Sequence, residues 1–212
     1  MKDKQAGVKL RKKPTQARSI EKYHHILDVV ADLVEQGGTD GLTTNLIAET
    51  ANVPVGTLYQ FFPNKESILY ALFERQLEQL DAMFEPYFSE QYDHLSIEQL
   101  MSASVKIMSQ TYGKVPGMVN IMNHMHVHAE FRALGAKNNA RLAKWFSVVL
   151  HRRYPEKDES VAQQVADAVI ELGDAVFRKL LLSEPSKQLT DDMLLGLQLM
   201  IIGLVETKLA GK

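Results

Sequence analysis

An all-α fold follows from three features of the sequence. Apolar residues recur at three- and four-residue spacing along nearly the whole chain, without the sustained alternation that a half-buried strand requires. Seven prolines, at 14, 54, 63, 86, 116, 155 and 185, cut that pattern into segments that short and long helices can fill. The 212 residues are 45% hydrophobic and 24% charged with no Cys, the balance of a globular chain of one large or two small domains.

The elements can be placed in order. Ile20, Tyr23, Leu27, Val30 and Val34 form the stripe of a first helix, with Thr15 as a possible cap and Gly37-Gly38 as its stop. A short turn through Thr39, Asp40 and Gly41 leads to Leu42, and either Thr43 or Thr44 can cap a brief helix to about residue 51. Asn52 stands where a turn between helices needs the left-handed conformation, which Asn tolerates better than most side chains. A second brief helix over 55–61 stops before Pro63, and Asn64 can cap the next, amphipathic through Ile68, Leu72, Leu77, Leu80 and Phe84 until Pro86. Ser96 and Gln99 have capping-box spacing ahead of Ile97, Leu100, Met101, Val105 and Met108. Further helices are expected near 119–128, 129–153, 159–182 and 191–209.

This pattern predicts three regions. Residues 1–14 form a basic arm expected to be disordered, residues 15–66 a three-helix unit, and residues 67–212 a larger helical body. The formal net charge is −2, but its distribution is uneven. Residues 1–23 hold eight basic and two acidic side chains, +6, leaving 16 basic and 24 acidic, −8, for the other 189 residues. A basic arm on an acidic body fits nucleic acid, an anionic membrane or a solvated tail.

Several classes are excluded or disfavoured. Without Cys there are no disulfide frameworks, thiolate zinc sites, iron–sulfur clusters or cysteine nucleophiles. The longest apolar run, residues 193–205, contains Gln198 and falls short of the roughly 20 residues of a membrane span. No apolar stretch follows the basic start before Pro14, so it does not read as a secretory signal. A cytoplasmic protein with no membrane partner is the expectation.

Two short helices joined by a tight turn, after a longer helix and a basic arm, outline a helix-turn-helix. Within the outline, TTNLIAETANVPVGTLYQFFPNKESIL resembles the DNA-binding signature of the tetracycline-repressor (TetR) family, and the match runs without a gap over residues 42–69. Ile47-Ala48, Ala51, Val53, Gly56-Thr57-Leu58-Tyr59, Phe62, Asn64 and Lys65 carry it. Beyond residue 69 the resemblance is architectural only. It implies a ligand-responsive transcriptional regulator, not an enzyme: a repressor that binds double-stranded DNA as a homodimer and leaves a palindromic operator when a small-molecule effector binds the body. No cofactor is implied.

The residue chemistry suits that implication. Val55, Gly56 and Thr57 open the recognition helix, where small side chains permit close approach to DNA, and Thr57 offers a methyl to thymine. Leu58 and Phe62 face inward with Leu42, Ile47 and Ala51. Thr44, Tyr59 and Lys65 suit phosphate oxygens, while Asn45 and Gln60 are amides able to read a base edge. Three positions depart from the family's pattern: Asn52 replaces a common Gly, Pro54 removes a side-chain cap, and Phe61 removes a polar group that in relatives can reach DNA. Residues 24–66 contribute only Lys65 against six carboxylates, so non-specific attraction rests on the arm, Lys9, Arg11, Lys12 and Lys13 above all.

In the body, five of nine methionines fall between 101 and 125, which fits either an adaptable apolar pocket or core filling. The expected ligand-binding residues are Met108, Met122, Met125, His126, Trp145 and Phe177. His124 and His128 share a helical face while His126 points away, and with no HExxH or Cys nearby no metal site is expected. Glycines among large apolar residues in the last two helices indicate close helix approach. That serves either the chain's own core or, as the resemblance implies, a homodimer through these two helices. A helical enzyme and a ligand-independent DNA-binding organiser are the rival readings; for the enzyme, no nucleophile with a base and no phosphate loop is visible.

Overall fold

The computed structural model describes residues 13–111, 114–125, 128–183 and 186–211, side chains at 109–111 and 125 excepted. The arm through residue 12, the Met125 side chain and His126 lie outside the described residues. All regular structure among those described is helical. The chain divides into two compact units, 1–77 with 115–134 and 78–114 with 135–212. Residues 67–77 and 115–134, assigned to the body on sequence, pack with the first unit.

In the first unit, α1 (Ala17–Gly37) buries Tyr23, Ile26, Leu27, Val30, Ala31 and Val34, the stripe expected from its spacing. Its N-cap is Gln16, not Thr15, and the Gln16 side chain makes no capping hydrogen bond. At the other end Gly38 takes φ 68° and returns its N–H to the Val34 carbonyl at 2.9 Å. The Asn120 amide donates to the same carbonyl at 2.7 Å.

The helix pair α2 (Thr44–Thr50) and α3 (Val55–Phe61) follows. Of the two possible caps for α2, Thr43 is used, its hydroxyl accepting from the Leu46 N–H at 3.1 Å. Asn52 takes φ 49°, the left-handed turn expected of it. Leu42, Ile47, Ala48, Ala51, Leu58 and Phe62 are buried with α1, and Tyr23 stacks on Phe62. The His25 ring lies 3.0 Å from the Ala51 carbonyl and ties α1 to the end of α2.

Helix α4 (Lys65–Phe84) begins at Asn64, whose Oδ1 accepts from the Ser67 N–H at 2.8 Å. The unit is completed by α6 (Met118–Met125) and the start of α7 (Ala129–Arg153). Gly117, just ahead of α6, has φ 74° and donates its N–H to Glu35 at 2.7 Å. A Cβ there would lie 3.0 Å from the Ala31 carbonyl oxygen and 3.2 Å from Val34 Cγ1, so the position admits only glycine without rearrangement.

The second unit holds the rest of α4 and α7 with α5 (Ile97–Thr111), α8 (Glu159–Ser183) and α9 (Lys187–Val205), which a π-turn at Glu206–Ala210 extends. The capping box opens α5 as its spacing requires: Ser96 N–H to Gln99 Oε1 at 2.9 Å and Gln99 N–H to Ser96 Oγ at 3.1 Å. Leu100, Val105, Phe146, Leu150, Ala166, Phe177, Leu197, Ile201 and Val205 belong to one buried cluster. Arg152 pairs with Asp93 at 2.9 Å, and this hydrogen bond holds the Asp93 carboxyl below its usual range.

The outer face of α9 is apolar and uncovered. Leu195 is 54% and Leu199 62% exposed, with Leu189 and Met200 beside them. Apart from the adjoining residues and the helix's own backbone, nothing lies within 4 Å of where a Cβ would sit on Gly173 or Gly203. The close approach expected from these glycines is therefore not met within the chain. The helical span Lys187–Ala210 is long and apolar enough to cross a membrane by length and composition, beyond what the thirteen-residue run indicated. Its opposite face, with Leu197, Ile201 and Val205, is buried in the unit's core.

Candidate nucleic-acid interface

The residues of α2 and α3 separate cleanly by face. Leu58 is fully buried, whereas Asn45, Val55, Gly56, Tyr59 and Gln60 are exposed and Thr44 and Thr57 half-buried. Folding thus brings seven of the eight expected DNA-contact residues onto the outer side of the helix pair. Thr44 Oγ1 and Tyr59 Oη lie 3.2 Å apart, so two hydroxyls from different helices form one polar pair. One hydroxyl spends its hydrogen on the other, so the pair keeps one O–H to donate to a phosphate oxygen. Nothing in the protein lies within 4 Å of the Cβ position of Gly56. Its lack of a side chain is not needed for packing.

Lys65 is engaged elsewhere: its ammonium donates to the Thr39 carbonyl at 3.2 Å and pins the turn after α1 to the start of α4. Phe61, read as the loss of a polar group, packs edge-on against Tyr23. At the C-terminal end of α6, sequence reasoning missed an arrangement of His124, Glu66 and His128. His124 Nε2 lies 2.7 Å from Glu66 Oε2, and His124 Nδ1 lies 3.3 Å from the Thr39 hydroxyl. The hydrogen bond from His124 is the main reason the Glu66 carboxyl sits below its ordinary range, against the opposing effect of burial.

The rings of His124 and His128 stack at 4.2 Å with 24° between planes. A donor atom from each and from Glu66 lie within 4.8 Å of one another. Ring-nitrogen lone pairs lie in the ring plane, so nearly parallel stacked rings direct them side by side rather than onto one ion. As arranged, the His124–Glu66 hydrogen bond ties the end of α6 to the start of α4, with His128 stacked on His124. The shared face of His124 and His128 was legible from their spacing, but their partner Glu66, 58 residues before His124, was not.

The second unit holds a largely apolar cavity of about 100 Å³. Met108 and Phe177, two of the expected ligand residues, line it. Met122 is instead buried in the first unit, and Trp145 lies off the cavity with its ring 5.8 Å from Phe88. Residues not foreseen line the rest, among them Leu80, Asp81, Phe84, Asn138, Phe146 and Ile201. The wall as a whole draws on α4, α5, α7, α8 and α9, helices far apart in sequence.

An exposed polar face on a short helix pair joined by a tight turn is the arrangement through which helix-turn-helix units meet DNA. Residues 26–72 match the family described as "Bacterial regulatory proteins, tetR family". The HTH-type transcriptional repressor KstR of Mycolicibacterium smegmatis is 37% identical over 62 residues, 29% of this chain and 30% of that protein. The fatty acid metabolism regulator protein of Bacillus subtilis is 36% identical over 58 residues, 27% of this chain and 30% of that one. The chain thus spans under a third of the length of the curated relatives it matches.

Solved structures extend the likeness to the whole fold. Salmonella enterica GusR superposes with a TM-score of 0.68 at 16% identity, covering 92% of this chain and all of that one. The fatty acid degradation regulator FadR of Bacillus halodurans gives 0.62 at 16% identity, covering 85% and 98%. At such identity the agreement is in fold alone.

Proposed function

We propose that the chain is a homodimeric transcriptional repressor of the cytoplasm that grips a palindromic operator and releases it when a small apolar or amphipathic molecule enters the cavity of the second unit. The observation that carries this reading is the outward display of Thr44, Asn45, Val55, Gly56, Thr57, Tyr59 and Gln60 over a buried Leu58. Thr44 and Tyr59 hold phosphates and set the register; Gln60 and Asn45 read base edges; Thr57 meets a thymine methyl. Lys65 adds a phosphate contact with the donors left after it binds Thr39.

Dimerisation through α8 and α9 covers Leu195 and Leu199 and brings a second helix against the open glycines. It also supplies the second recognition helix, one DNA turn away, that a single seven-residue helix needs for specificity. The repressor names of the KstR relatives and the fatty-acid names of two others support repression and an apolar effector.

The test is mutational. Tyr59→Ala should weaken binding to any duplex sequence by about tenfold, whereas Gln60→Ala should change the preferred base at one position of each half-site. A Gln60→Ala protein with unaltered base preference and a Tyr59→Ala protein with unaltered affinity would together remove this face from the interface.

A further inference from the structure

The cavity of the second unit has a distinctive polar inventory. Its walls are mostly apolar, as Leu80, Phe84, Met101, Val105, Phe146 and Ile201 illustrate. Among the described lining residues there is no Lys, Arg or His, whereas two carboxylates, Asp81 and Asp174, line it. Asp174 lies 3.7 Å from Arg178 one turn along α8. Asp81 is the more informative residue because its side chain is only 8% exposed.

One carboxylate oxygen of Asp81, Oδ2, accepts from the Arg141 guanidinium, which also donates to Asn138 Oδ1 at 2.6 Å. The other, Oδ1, is buried and has no hydrogen-bond partner within the protein. A buried acceptor left unpaired is costly, and a ligand that brings a donor recovers that cost. Ser104, also in the wall, already spends its hydroxyl hydrogen on the Leu100 carbonyl at 2.9 Å.

We propose that this cavity takes a small apolar molecule carrying a hydrogen-bond-donating head, an ammonium before a hydroxyl, with Asp81 Oδ1 as the acceptor, and that it discriminates against carboxylates. The inference rests on the reading of the cavity as the effector site and specifies its ligand class. Arg141 and Arg178 stand beside the two carboxylates but outside the lining, so a carboxylate head would meet no cation in the wall, whereas an ammonium gains an acceptor once the Asp81 side chain turns Oδ1 toward it. The specificity therefore differs from what the fatty-acid names of the similar proteins would suggest for a free acid. Size narrows the class further: the cavity holds about 100 Å³, and one of about 150 Å³ accepts benzene. A single ring is therefore the upper end of the range, and the walls must give to take it.

The test compares three near-isosteric probes, 2-phenylethylamine, 2-phenylethanol and phenylacetate, binding to the full chain by titration calorimetry, with release of operator DNA measured in parallel. The amine should bind about tenfold or more tighter than phenylacetate, with the alcohol between, as expected for one charge-assisted hydrogen bond. Asp81→Asn should erase most of the amine's advantage and leave the alcohol within about threefold. The wild-type ranking alone decides the matter if that variant does not fold. Phenylacetate binding as tightly as the amine, or no binding by any of the three, overturns the proposal. Amine binding without operator release upholds the head-group assignment and overturns the effector reading, and release by phenylacetate alone does the reverse.

Discussion

Gly56 separates the demands of folding from those of DNA binding. It is the second residue of α3, is exposed, and has nothing in the protein within 4 Å of its absent Cβ. Gly56→Ala should therefore stabilise the first unit, since Ala is favoured over Gly in a helix by about 0.5–1 kcal/mol. The same methyl projects about 1.5 Å beyond the Cα, one carbon–carbon bond. If the backbone at Gly56 rests against DNA, the helix must retreat by a similar distance, and a bond of about 2.9 Å stretched that far is lost. One bond to a charged phosphate is worth about 1.5–3 kcal/mol, or roughly 10- to 150-fold in affinity per half-site. Urea denaturation followed by circular dichroism reads the first effect, and fluorescence anisotropy on a labelled duplex the second. A higher urea midpoint with operator affinity unchanged would refute the placement of this helix face against DNA.

Four further perturbations follow from particular contacts. Gly117→Ala should lower the urea midpoint, because φ 74° costs a side chain about 1–2 kcal/mol and the new Cβ would crowd the Ala31 carbonyl at 3.0 Å; an unchanged midpoint would show that the turn relaxes. Leu199→Glu, on the exposed face of α9, should convert a dimer to monomers in sedimentation velocity and weaken operator binding in step, whereas a persistent dimer would place the interface elsewhere. Deleting residues 1–13 should lower affinity for any duplex and reduce the slope of log affinity against log salt by about 0.9 for each phosphate that the arm no longer neutralises; an unchanged slope removes the arm from the interface. Glu66→Gln bears on acid stability. The folded state holds the Glu66 carboxyl below its reference value of 4.5, so its contribution is present above that value and lost as pH falls through the folded one. The gap in urea midpoint between wild type and Glu66→Gln should close on acidification from pH 7, and a gap that widens would contradict the sign.

The features legible in the sequence were those that local geometry dictates. The Ser96–Gln99 box, the left-handed Asn52, the Asn64 cap and the bounds of α3 depend on residues within a few positions of one another. The outward set on α2 and α3 was legible for the same reason, since helical spacing alone decides which residues share a face with Leu58. Thr15 misled because the N-cap position falls to Gln16, whose side chain makes no capping bond, so cap chemistry does not mark this helix start.

Interactions that depend on which helices meet were illegible. Lys65 reads as a free cation until the Thr39 carbonyl is found beside it. Met122 and Phe177 look equally suited to line a pocket, yet one is buried in the first unit and the other lines the cavity of the second. Asp81, the most informative residue of that cavity, sits on an amphipathic helix as one carboxylate among several. Only its burial, with Arg141 on one oxygen and no protein group on the other, sets it apart. Whole-chain charge was uninformative in the same way, because −2 conceals a +6 segment at one end.

The central claim is that this chain reads DNA as a dimer through α2 and α3. Selection of bound duplexes from a random pool by the purified full chain, followed by sequencing and by native mass measurement of the complex, tests it most directly. The account predicts an enriched palindrome with half-sites about one helical turn or a multiple apart, bound by paired chains, and lost from the selection when Tyr59 and Gln60 are both replaced by Ala. A pool that yields no palindrome, or one that the double variant selects equally well, would contradict it.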